Sequence, residues 1–141
     1  MSVPASKRTQ SRCEYIDVAR RLNITVAQII ANGPKKYTHI YGDRLVGNAI
    51  DLYTHAIAAN SIFVSRDETA YRARRAHLLE ARALSHSVSS VAKLYFDIIL
   101  HTDGQDKDKA YRRMERIGEY TYQLDNLIGG VLKSDKERYN G

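Results

Sequence analysis

Apolar residues recur at three- and four-residue steps through four long segments of this chain, and only three short breaks interrupt them. A helix repeats every 3.6 residues and a strand every two, so this spacing calls for helices. The 141 residues suffice for one core, and the short connections oblige neighbouring helices to run antiparallel. The expected fold is all-α, an up-and-down antiparallel four-helix bundle. Almost every residue then serves a helix or a turn, which leaves little room for an enzyme.

Residues 1–10 are polar and lack periodicity, so they read as a flexible basic arm. A single bundle domain follows over 11–133, with a polar tail over 134–141. Ser11, with Glu14 three residues later, predicts a capped start for the first helix. Ile16, Ala19, Leu22, Val26, Ile29 and Ile30 form its stripe, and Asn32-Gly33-Pro34 ends it, Gly33 being able to take positive φ. The second helix is expected from Thr38 to about Ser61, with Tyr41, Leu45, Ala49, Leu52, Ala56, Ala59 and Phe63 as its main stripe. Val46, Ile50, Tyr53 and Ile57 give it a second stripe, a width that suits a bundle core plus a subunit interface.

The third helix, capped by Ser65 or Asp67, meets neither glycine nor proline before Asp103-Gly104. It runs about 34 residues, or ~50 Å. Leu78, Ala81, Leu84, Val88, Val91, Tyr95 and Ile98 mark its buried side. The last helix opens at Gln105-Asp106-Lys107-Asp108 and buries Tyr111, Met114, Ile117, Thr121, Leu124, Leu127, Ile128 and Val131. Gly129-Gly130 weakens its final turns.

The net charge is +6, and its distribution says more than its size. Residues 1–36 carry seven basic against two acidic side chains, and the remainder fifteen against fourteen. Such a concentrated positive region raises the local density of a polyanion. A single cysteine, Cys13, permits no intrachain disulfide and suits a reducing compartment. The N-terminus lacks the apolar core of a signal peptide, and no apolar run nears the ~18 residues of a membrane span. The expected location is the cytoplasm.

Catalytic and metal patterns do not emerge. None of His39, His55, His77, His86 and His101 lies four residues from another, so each reads as solvated or hydrogen-bonded. Ser85-His86-Ser87 fan to different faces of a helix and form no relay. Cys13, beside Arg12, has no identifiable general base and reads as structural. Glu115 and Glu119 sit among Arg112, Arg113 and Arg116 and are expected to form solvent-side ion pairs. No catalytic residue, metal or cofactor is expected.

The basic clusters remain. Arg12, Arg20, Arg21, Lys35, Lys36, Arg72, Arg74 and Arg75 are the candidate phosphate contacts, with Arg82 continuing the last group. No base-reading element accompanies them, so binding of RNA or DNA would tolerate any sequence.

Two stretches carry a resemblance. Gly33-Pro34-Lys35-Lys36-Tyr37-Thr38 leading to Ala58-Ala59-Asn60-Ser61-Ile62, and the ending Lys133-Ser134-Asp135-Lys136-Glu137-Arg138-Tyr139, resemble the small four-helix-bundle proteins of the Avd type. Those are accessory variability determinants of diversity-generating retroelements. They are similar in fold to the four-helix proteins encoded by intervening sequences in bacterial 23S ribosomal RNA genes. The resemblance implies a non-enzymatic, ring-like homo-oligomer, typically a pentamer. It also implies binding to nucleic acid and to the retroelement reverse transcriptase during mutagenic copying of a template RNA into cDNA. The basic positions named above are the counterparts of such a surface. The alternative is a protein-interaction scaffold of a phage or mobile element, without nucleic-acid affinity.

Overall fold

The computed structural model describes the backbone over residues 5–64, 66–102 and 106–141, and side chains from residue 14 onward. Within these residues the chain is all-helical, without strands. Its elements are α1 (Ala5–Asn32), a single turn α2 (Lys35–Tyr37), a π-helical segment (Thr38–Gly42), α3 (Asp43–Asn60), α4 (Glu68–Leu100) and α5 (Lys107–Asn140). The four long helices close a square: α1 packs on α3, α3 on α4, α4 on α5, and α5 returns to α1.

Contacts along each seam fix the directions. Asn23 donates to the Ala49 carbonyl at 2.8 Å, while a Cβ at Gly42 would touch Ile30, so α1 and α3 are antiparallel. Arg74 reaches the Ala59 carbonyl, and Tyr41 meets Tyr95, so α3 and α4 are antiparallel too. Arg74–Asp135, Arg82–Asp125 and Ser85–Thr121 step in opposite senses along α4 and α5. The bundle is therefore up-and-down throughout, as the periodicity and short connections require.

The core follows the expected stripes. Leu22, Val26, Ile29, Leu45, Leu52, Leu78, Val88, Leu124 and Ile128 are all buried, and Ala19, Ala49, Ala56, Ala59 and Ala81 let the helices approach closely. Two assignments change. Phe63 lies beyond the end of α3 and is 90% exposed, and Tyr111 points outward from the first turns of α5. Both kept the helical spacing in sequence, but the first has left the helix and the second stands one position past Ala110, which takes the buried face there.

The ends also differ from expectation. Helix α1 starts at Ala5, six residues before a Ser11 cap would begin it. No glycine or proline separates Ala5 from Asn32, and lysine, arginine and glutamine propagate a helix well. Asp67 caps α4 by accepting from the Ala70 N–H, and Asp106 caps α5 by accepting from the Lys109 N–H. The alternative cap Ser65, and Asp103, Gly104 and Gln105, lie outside the described residues. Helix α5 passes through Gly129-Gly130 and continues to Asn140, so the polar tail is the last part of the bundle. Glycine is needed at position 33 for a different reason than foreseen. Its φ is not left-handed; rather, any Cβ there would collide with the Tyr95 hydroxyl.

The second helix begins irregularly. The Asp43 N–H reaches back five residues to the Thr38 carbonyl, the mark of a π turn. Tyr37, Tyr41, Tyr95 and Phe96 form a chain of ring contacts, each 6.0–6.5 Å between centroids, that ties this segment to α4. Among the described residues no helix is long and apolar enough to cross a membrane.

Candidate nucleic-acid interface

The candidate basic residues do not form one surface. Lys35 and Lys36 stand where α1 has ended, at the end of the bundle shared by the C-termini of α1 and α4 and the start of α5. Arg72, Arg74 and Arg75 open α4 at the opposite end, ~30–40 Å away along a helix of about 1.5 Å rise. Arg20 and Arg21 sit midway along α1, diagonally across from α4. The side chains of Arg12 and Cys13 lie outside the described residues.

Most of these cations already have partners. Arg20 and Arg21 both hold Asp17, at 2.8 and 3.0 Å. The Arg20 hydrogen bond leads the effects that keep the Asp17 carboxyl below its ordinary range. Arg72 pairs with Glu68 one turn earlier. Arg82 holds Asp125 at 2.8 Å, and His86 adds a second contact to the same oxygen at 3.1 Å. The Arg82 hydrogen bond is the main cause of the lowered Asp125 pKa, and the Arg82 guanidinium is correspondingly raised.

Arg74 is not a surface residue. Its side chain is 11% exposed, its Nε donates to Asp135 at 2.6 Å, and its Nη1 donates to the carbonyls of Ala59 and Ile62. Asp135 is itself buried. This guanidinium closes the seam of α3, α4 and α5, with three of its five N–H donors committed there and little of it exposed to a phosphate. Nothing in the residue pattern marked this pair, because Asp135 sits in a stretch that looks like a solvated tail.

The densest cations without a carboxylate partner lie elsewhere. Lys109, Arg112, Arg113 and Arg116 follow one another at positions i, i+3, i+4 and i+7 of α5, hence on one face. Their expected pairing with Glu115 and Glu119 does not form: no ion pair joins them among the described residues. Lys35 and Lys36 are exposed, and the Lys36 ammonium lies 5.0 Å from the centre of the Tyr37 ring. Only Pro34 separates them from Asn32 and Gly33, which share a cleft with Lys109 and Arg113. Lysines of the α1–α3 connection and the arginine stripe of α5 thus gather at one end of the bundle. The i, i+3, i+4, i+7 spacing was the signal in the sequence that could have marked this stripe.

The histidines divide as expected of hydrogen-bonded or solvated rings. His55 and His77 are an exception only in having each other. Their Nδ1 atoms are 2.9 Å apart with ring centroids 5.2 Å apart, so the two nitrogens face nearly head-on across the α3–α4 seam. One donates and the other accepts, which requires one Nδ1–H between them. Among the described residues no three His, Cys, Asp or Glu side chains come together as a metal would need. Compared with known proteins, the chain matches no family profile, no curated protein and no solved structure.

Proposed function

We propose that this chain is a non-enzymatic accessory protein of a diversity-generating retroelement. It acts as an oligomeric basic bundle that binds template RNA or cDNA without reading sequence, and that docks the reverse transcriptase. The observation that carries the nucleic-acid part is a set of cations at one bundle end that have no ion-pair partner among the described residues: Lys35, Lys36, Lys109, Arg112, Arg113 and Arg116. Free guanidinium and ammonium groups on one side release counterions from a phosphate backbone when they bind it. Paired ones, such as Arg20, Arg21 and Arg72, must first give up a carboxylate. The resemblance to Avd-type proteins supplies the retroelement, the reverse transcriptase and the pentamer. The outer stripe of α3, where Ile50 and Ile57 are 49% and 42% exposed, supplies an apolar face for neighbouring copies.

Anisotropy titrations with labelled RNA and DNA strands over a range of salt test this reading. A steep log–log salt slope with little sequence preference is expected. Replacing Lys35 and Lys36 with glutamate should weaken binding to every sequence and flatten the slope by about two. The Arg74→Gln change should leave that slope unaltered in protein that remains folded. Absence of binding at low salt would overturn the nucleic-acid role and leave a protein-docking scaffold.

A further inference from the structure

Between the C-terminal turns of α1 and α4 and the first turns of α5 lies a cleft of about 340 Å³. Its floor is apolar and closed, since Ile29, Phe96, Ile99 and Ala110 are all buried. Asn32, Gly33, Asp106, Lys109 and Arg113 make its walls. Lys109 and Arg113 stand one helical turn apart and have no ion-pair partner among the described residues. The Asp106 carboxylate is occupied as the cap of α5, accepting from the Lys109 N–H at 3.1 Å.

A third donor adjoins the wall. The Tyr95 hydroxyl is buried, lacks a hydrogen-bond partner among the described residues, and lies against the backbone of Gly33. Burial raises the pKa of this phenol, so it is a neutral O–H donor at physiological pH, and the Arg113 charge is close enough to oppose the shift. An orphaned donor in a protein interior is uncommon and calls for an acceptor. The cleft therefore presents a guanidinium and an ammonium beside the positive end of a 34-residue helix, with the Tyr95 hydroxyl buried next to Gly33 of its wall.

We infer that this cleft seats a phosphomonoester, the terminal phosphate of a nucleic-acid strand, through Arg113 and Lys109. The inference rests on the nucleic-acid reading above and gives it a polarity. A monoester carries about −1.5 to −2 charges at neutral pH, more than the single charge of a backbone phosphodiester. The arginine fork and the lysine point charge match its several oxygens. A recess with a closed floor admits a strand end, whereas a continuous backbone must leave as it entered. The volume exceeds that of a phosphate and leaves room for the first sugar. Arg112 and Arg116, next on the α5 face, and Lys35 and Lys36, next after Gly33, are placed for the phosphodiesters that follow.

The test compares short 3′-labelled DNA strands with and without a 5′-phosphate, by anisotropy at fixed salt. The phosphorylated strand should bind about tenfold tighter, the gain of one added set of charge-assisted hydrogen bonds. Arg113→Gln and, independently, Lys109→Gln should bring the two strands to equal affinity, on top of the uniform weakening of both strands that loss of one phosphate-contacting cation causes. Equal affinities for the two strands would overturn the cleft assignment and leave sequence-tolerant binding standing. Loss of binding by both strands would overturn the nucleic-acid reading itself. A nucleoside 5′-monophosphate that binds as tightly as the phosphorylated strand would overturn the strand-end assignment in favour of a free mononucleotide.

Discussion

Arg74 and Asp135 meet across 61 residues of sequence, and neither looks like a core residue when read alone. The pair is buried and its arginine also satisfies two carbonyls, so removing one partner strands the other charge. Asp135→Ala should cost about 3–5 kcal/mol in urea unfolding, and Arg74→Met combined with Asp135→Leu should recover most of it. Asp125 behaves differently because it is partly exposed. Its folded pKa is depressed, chiefly by Arg82, so its contribution is present above the unfolded value near 3.8 and is lost as pH falls through the folded one. Asp125→Asn should therefore lower Tm at pH 7, and the gap to the unmodified protein should close in melts below pH ~3.8. Apolar partners were legible at this scale because periodicity announces them. Ion pairs between helices were not, since they depend on which turns come level across a seam.

At the scale of elements, the stripes foretold four helices and their buried faces, and the breakers foretold three of the turns. Lengths were less legible. A helix ends where tertiary packing stops rewarding it, and at the close of α5 Asp135 and the Tyr71–Tyr139 stack, 4.2 Å between rings, continue to do so. That packing carries α5 through two glycines whose propensity argues against helix. A Cβ at Gly130 would meet nothing within 4 Å, and its φ is not left-handed. Gly130→Ala should raise unfolding free energy by about 0.5–1 kcal/mol in the same urea experiment. The π turn at Thr38–Gly42 was invisible, because an inserted residue leaves the apolar spacing on either side intact.

For the whole molecule, net charge pointed to a polyanion but not to where one would lie. Seven cations in the first quarter of the sequence suggested an N-terminal surface, yet Asp17 engages two of them, Arg20 and Arg21, and the fold carries Lys35 and Lys36 toward the start of α5. Assembly belongs to this scale as well. If the outer stripe of α3 joins copies, Ile50→Lys with Ile57→Lys should reduce the sedimenting mass to one chain with the helical CD spectrum unchanged. The π turn has a consequence here too. It holds one surplus residue in an otherwise continuous helical path from Lys35 to Asn60. Winding the same residues as regular α-helix would leave everything from Leu45 onward in phase and swing the two lysines by ~100° about the helix axis. The compass bearing of the charged end is thus set by a count of residues in a neutral turn, and by no charge at all.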